Sequence, residues 1–207
     1  MNATAHVDWE AGTAMSAPID AHLNEATGGL LPDTKVASGQ GWRSVRTLMP
    51  GDMVLTFDNG MQPLVDVCHH LVEAGSGPRS VETWPLHVAS GILGNKAPLT
   101  LLPGQVILVE SDLAEDLYGD PFVAIEAREL NGMEGVTRIR PRDRFMAVTL
   151  HFATDQAVFG AGGMMIVCAG TGDLLNDRGG EAVYPVLPGD VAQRVLAEGV
   201  MPAGAAA

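Results

Sequence analysis

The residue types best able to do chemistry in this 207-residue chain are six histidines, two cysteines and a scatter of carboxylates. His69 and His70 are adjacent, so on a β-strand their rings point to opposite faces and cannot chelate one ion together. His87 alternates with Leu86 and Val88 and is expected to face solvent, while His151 lies in a strongly apolar segment. All four read as ordinary structural or surface histidines, and no metal is expected. Cys68 and Cys168 each end an apolar run, and neither has the CxxC partner used in zinc or redox chemistry. Both are therefore expected to be small buried hydrophobes. The acidic cluster Glu110, Asp112, Glu115 and Asp116 lacks the alternating oxygens and central glycine of a calcium loop. Gly160, Gly162 and Gly163 lie between strand candidates, where a hairpin turn forms; a phosphate cradle needs a helix start instead. No Gly-x-Ser-x-Gly elbow occurs to seat a Ser–His–Asp triad. Residue chemistry by itself yields no active site and calls for no cofactor.

The elements that would position these groups are mostly strands. Gly 25 and Pro 13 punctuate the chain at short intervals, and 46% hydrophobic with 18% charged residues is a globular composition. Strand candidates are 35–38, 42–48, 53–57, 63–70, 85–89, 106–110, 122–125, 136–139, 145–152, 157–159 and 164–169. Asn59-Gly60 supplies the positive φ that a tight hairpin demands. Helical signals are confined to 111–117, 125–130 and 190–198, the last capped by Asp190 and stopped by Gly199. The spacing predicts an all-β fold of short antiparallel strands with a short C-terminal helix. Three parts are expected: a leader over 1–27, a β domain over 28–170, and an extension over 171–207 with one helix and a frayed tail.

Charge narrows the partners. Twelve Lys+Arg against 25 Asp+Glu leave a net charge of −13, which repels phosphate backbones and anionic membranes. No nucleic acid and no membrane partner is expected; an unknown protein partner and a homo-oligomer stay open. Asp8 and Glu10 stand where a signal peptide needs a basic start and an apolar core, so the reading is a soluble chain, cytoplasmic or secreted without a leader.

One stretch is more specific than the rest. Val45, Leu48, Gly51, Asp52, Val54, Thr56, Asp58 and Gly60 match, in order and spacing, a Val-x-x-Leu-x-x-Gly-Asp-x-Val-x-Thr segment followed by an Asp-x-Gly hairpin. Pro85 to Gly94 resembles a Pro-Val-x-Ile-x-Ala-Gly-Ala-Leu-Gly segment, and Leu101 to Leu108 a Leu-Ser-Pro-x-His-Arg-Val-Leu segment. In this the chain resembles the bacterial Hedgehog/intein (Hint) domains over roughly residues 29–168. The resemblance implies a horseshoe-like β disc whose chemistry is an N-to-S acyl shift. In that reaction a first-position Cys attacks the preceding carbonyl while a His activates the peptide bond.

The same register sets the chain apart from that chemistry. Gly29 stands at the Cys position, Gln105 at the activating His, and Asp155 where the family's Asp-x-His motif ends. Glycine has no nucleophile, and a glutamine amide cannot shuttle a proton near neutral pH. The expected function is therefore a catalytically silent Hint-like domain acting as a structural or protein-binding module, not an enzyme. The alternatives are self-cleavage through a non-standard nucleophile, with Thr27 the fallback and Ser38 a poorer choice, or a small-ligand or metal-binding β protein using His69, His87 or His151.

Overall fold

The computed structural model describes residues 28–73, 80–141, 144–171 and 183–199; the expected leader 1–27 and the tail beyond residue 199 lie outside them. Every strand ladder is antiparallel, as the all-β expectation required. The largest sheet runs β2 (Gly41–Ser44), β1 (Lys35–Ser38), β3 (Met53–Thr56), β12 (Gln156–Gly160), β13 (Met164–Cys168), β8 (Val106–Glu110) and β9 (Phe122–Glu126), with β4 (Gly60–Pro63) paired to β3. A second sheet joins β10 (Val136–Arg138), β6 (Leu86–Val88) and β7 (Leu99–Leu101). A third is the long two-stranded ladder of β5 (Asp66–Glu73) with β11 (Arg144–His151).

The continuous run Val106-Ile107-Leu108-Val109 carries no alternation because both faces of β8 are covered. Ile107 and Val109 enter the main core beside Leu86, Ile125, Phe152 and Ile166. Val106 and Leu108 enter a second cluster with Ala124, Ala157 and Met165, against which Tyr184 and Val186 pack. Each of these four side chains is at most 5% exposed, and burying each is worth roughly 1.5–3 kcal/mol.

Several element boundaries differ from the sequence reading for local reasons. The segment expected as a strand over 42–48 is β2 followed by a 3₁₀ turn, Val45–Thr47, which buries Val45 completely. The helix expected over 125–130 is instead the end of β9 and a 3₁₀ turn, Ala127–Leu130. The strand expected over 63–70 starts only at Asp66, because Pro63 ends β4 opposite Met53. Ser111 precedes helix α1 (Asp112–Tyr118) and makes no side-chain cap bond. Helix α2 (Gly189–Glu198) begins before Asp190, with Pro188 at its cap position, and buries Ala192, Val195 and Leu196 in the main core.

Asp52 shows how the Gly-Asp turn is held. Its Oδ2 accepts a hydrogen bond from Met49 N at 2.9 Å and an ion pair from Arg43 Nη1 at 3.0 Å. The Met49 amide, reinforced by Arg43 and opposed by partial desolvation, holds its carboxyl below the usual range. A depressed carboxyl stabilises the fold above its unfolded pKa and loses that contribution as pH falls through the folded value. Asp52→Asn should therefore cost about 1 kcal/mol at neutral pH, and the difference from the parent should shrink as pH falls and the carboxylate takes up its proton. Urea melts of both proteins at neutral and at acid pH check this.

Candidate functional site

The β5–β11 ladder, the end of β13 and the turn before β8 enclose a cavity of about 460 Å³. Strand alternation explains who reaches it. Cys68 and His70 are two apart on β5 and share a face, and Cys68 pairs with Thr149, which shares its own face with His151. Leu30 is pinned to β11 by the reciprocal bonds Leu30 N to Val148 O and Val148 N to Leu30 O, both 2.8 Å, which sets Gly29 at the cavity wall. The turn over 102–105 closes through Gln105 N donating to Leu102 O at 3.0 Å, and Ala127 N donates to Gln105 O at 2.8 Å. Those bonds fix the backbone that carries the Gln105 side chain, which is 4% exposed.

Of the family-register positions, then, Gly29 and Gln105 come together in one cavity. Asp155 does not line it. Its Oδ1 accepts a 2.8 Å hydrogen bond from Gly170 N, a backbone clamp at the cavity's far corner. Thr27 lies outside the described residues. Ser38 pairs with Gly41 in the β1–β2 hairpin and its Oγ donates to Gly41 O at 2.7 Å, so it belongs to a turn. His69 points away from the cavity face, and His87 lies between Thr100 and Thr137, half-buried and alternating with the buried Leu86 and Val88. Among the described residues, no three His, Cys, Asp or Glu side chains converge to hold a metal ion.

Sequence reasoning missed the cavity's other polar wall: Cys68, His70, Thr149, His151 and Cys168 all line it. Cys68 corrects the buried-hydrophobe expectation, being exposed, whereas Cys168 fits it. The alternation of Asp66, Cys68 and His70 was the available signal, but the partner strand lies some 80 residues away and its register is not readable from periodicity.

Burial pushes the Cys168 thiol up to about 12, so it carries its proton at neutral pH. The Cys68 thiol donates to Asp66 Oδ2 at 3.4 Å, a bond that uses the proton a nucleophilic thiolate must lose. Gly29 has φ +89, and a Cβ there would lie 3.2 Å from Val148 O, 3.3 Å from His70 Cε1 and 3.3 Å from Thr149 Oγ1. A side chain at this position is therefore strained by the backbone and tight against three neighbours. None of the lining residues is Asp, Glu, Lys or Arg. The buried Nε2 atoms of His70 and Gln105 have no hydrogen-bond partner among the described residues.

The sequence model of the Hint domain matches residues 29–165, from the glycine at the cavity wall to the second residue of β13. No curated protein sequence matches the chain. Among solved structures, a GSH-linked, splice-inactive variant of the AceL NrdHF class 3 split intein is similar at 13% identity and TM-score 0.47, covering 69% of this chain and 98% of its own. A bacterial intein-like domain from Clostridium thermocellum is similar at 12% identity and TM-score 0.47, covering 68% and 97%. The gp41-1 intein is similar at 11% identity and TM-score 0.42, also covering 68% and 97%.

Proposed function

Given that the chain belongs to the Hint-domain family, we propose that it is a catalytically silent member serving as a structural or protein-binding module. One observation carries this reading: Gly29, which the family register sets at the nucleophile position, has φ +89, and a Cβ there would press on three neighbours. Gln105 in place of the activating imidazole supports it, because general acid–base groups contribute typically 10²–10⁴-fold to such steps. Groups that act as a unit leave only weak background catalysis once two are gone. The binding part draws support from the outer face of the β3–β4 hairpin, where Met53, Leu55 and Met61 are exposed beside one another.

The competing reading, self-cleavage through a non-standard nucleophile, is favoured by Cys68 and His70 sharing a cavity with Gly29. Intact mass separates the two. The parent, Thr27→Ala and Cys68→Ala should all keep their full mass through prolonged incubation with a strong thiol. Gly29→Cys alone should also stay whole, because it restores a sulfur in a strained backbone while Gln105 still stands where the family register places the activating imidazole. A fragment ending near residue 28 in the parent, lost in either alanine variant, would replace the silent reading with the cleaving one.

A further inference from the structure

Two buried polar atoms at the cavity have no hydrogen-bond partner among the described residues. Gln105 is 4% exposed, yet its Nε2 has no acceptor among the described residues, and His70 Nε2 is buried and likewise unpartnered. Buried amide donors are nearly always bonded in folded proteins, so an orphan that lines a cavity points to something that occupies it. The volume, about 460 Å³, falls in the range of small-molecule sites. The lining also includes the aliphatic residues Leu30, Val106 and Ile166, beside the polar Cys68, Thr149 and His151.

These groups define the occupant. The Gln105 amide offers N–H donors and wants an acceptor oxygen, and a neutral imidazole nitrogen without its proton accepts an N–H. Among the described residues no lysine, arginine or carboxylate lines the cavity, so apart from the imidazoles of His70 and His151 nothing there neutralises an ionised head group, and a carboxylate or ammonium is disfavoured against an uncharged head. We propose that this cavity binds small uncharged carboxamides with an aliphatic body. The carbonyl oxygen accepts from Gln105 Nε2, the amide nitrogen donates to His70 Nε2, and the hydrocarbon lies against the aliphatic residues. The proposal does not depend on whether the chain cuts itself.

Three probes with one six-carbon body and different heads test it on the full-length chain: hexanamide, hexanoate and hexylamine. Two readouts are followed, the ¹H–¹⁵N resonances of the Gln105 side-chain amide and the rate at which N-ethylmaleimide alkylates Cys68, an exposed residue on the same cavity wall. Hexanamide should shift the Gln105 resonances saturably and slow Cys68 alkylation, with hexanoate and hexylamine at least about tenfold weaker. Gln105→Met should retain the parent circular dichroism and bind hexanamide about fivefold more weakly. Should that variant fail to fold, His70→Phe, which keeps a ring and removes the nitrogen, carries the same expectation. Equal binding of all three probes would overturn the proposal by showing an apolar slot without polar recognition. Absence of any saturable shift would overturn it by showing a cavity that holds only water. Intact mass recorded on the same samples keeps a failure here distinct from any self-cleavage.

Discussion

Phe152→Ala should lower the free energy of unfolding by about 3–5 kcal/mol, a large share of the roughly 5–15 kcal/mol that holds a domain together. Phe152 is 1% exposed and is among the largest fully buried side chains. It follows β11 directly and enters the main core beside residues of β8, β12 and β13, so its ring ties the two-stranded ladder to the large sheet. Its backbone is fixed independently of the ring: Phe152 O accepts from Thr171 N at 2.8 Å and from Thr171 Oγ1 at 3.3 Å. The site therefore collapses poorly around a truncated side chain, which places the cost in the cavity-forming range. Urea melts should show a lower midpoint with an unchanged slope. A loss below about 1 kcal/mol would mean that the two sheets are not joined through this ring.

Gly170→Ala should have an effect of similar size by the opposite mechanism, overpacking. A Cβ on Gly170 would lie 2.6 Å from both Thr154 Cα and Thr154 C and 2.8 Å from Asp155 N, all backbone atoms. No side chain can swing aside, so the corner over 152–155 must move. That movement breaks the Gly170 N to Asp155 Oδ1 bond and the parallel bridge between Phe152 and Gly170. The expected loss is about 3 kcal/mol. Gly41→Ala is the control for backbone strain alone: its φ is +89 and nothing lies within 4 Å of the added Cβ, so it should cost only about 1 kcal/mol. Equal losses for the two variants in parallel melts would show that the crowding at Gly170 is not felt.

Asp155 matters in this light. At the place where the Hint register ends its Asp-x-His motif, the side chain here is a carboxylate committed to Gly170 N. Gln105 differs: its backbone is bonded into the turn while its amide nitrogen has no partner among the described residues.

Much of this architecture was legible in the residues, for stated reasons. The Asn59-Gly60 hairpin, the Gly160–Gly163 turn and β8 follow from turn chemistry and apolar runs, and all three form where expected. The Gly-Asp spacing around Gly51 and Asp52 carried the family resemblance, and the Hint-domain match begins at Gly29 as that register placed it. What the sequence withheld is long-range. The pairing of Cys68 with Thr149 joins β5 to β11, and no local pattern fixes that register. The cavity's thiols and imidazoles therefore looked like unrelated residues. The 3₁₀ turn Val45–Thr47 was hidden differently, because a three-residue turn that buries Val45 leaves the same apolar mark as a half-buried strand.

The central proposal is that this Hint-family chain does not cut its own peptide bond. A time course of intact mass on the purified full-length chain, with and without a strong nucleophilic thiol, tests it most directly. The account predicts one species of unchanged mass throughout, in both arms. Accumulation of a thiol-dependent fragment cut next to Gly29 would contradict it.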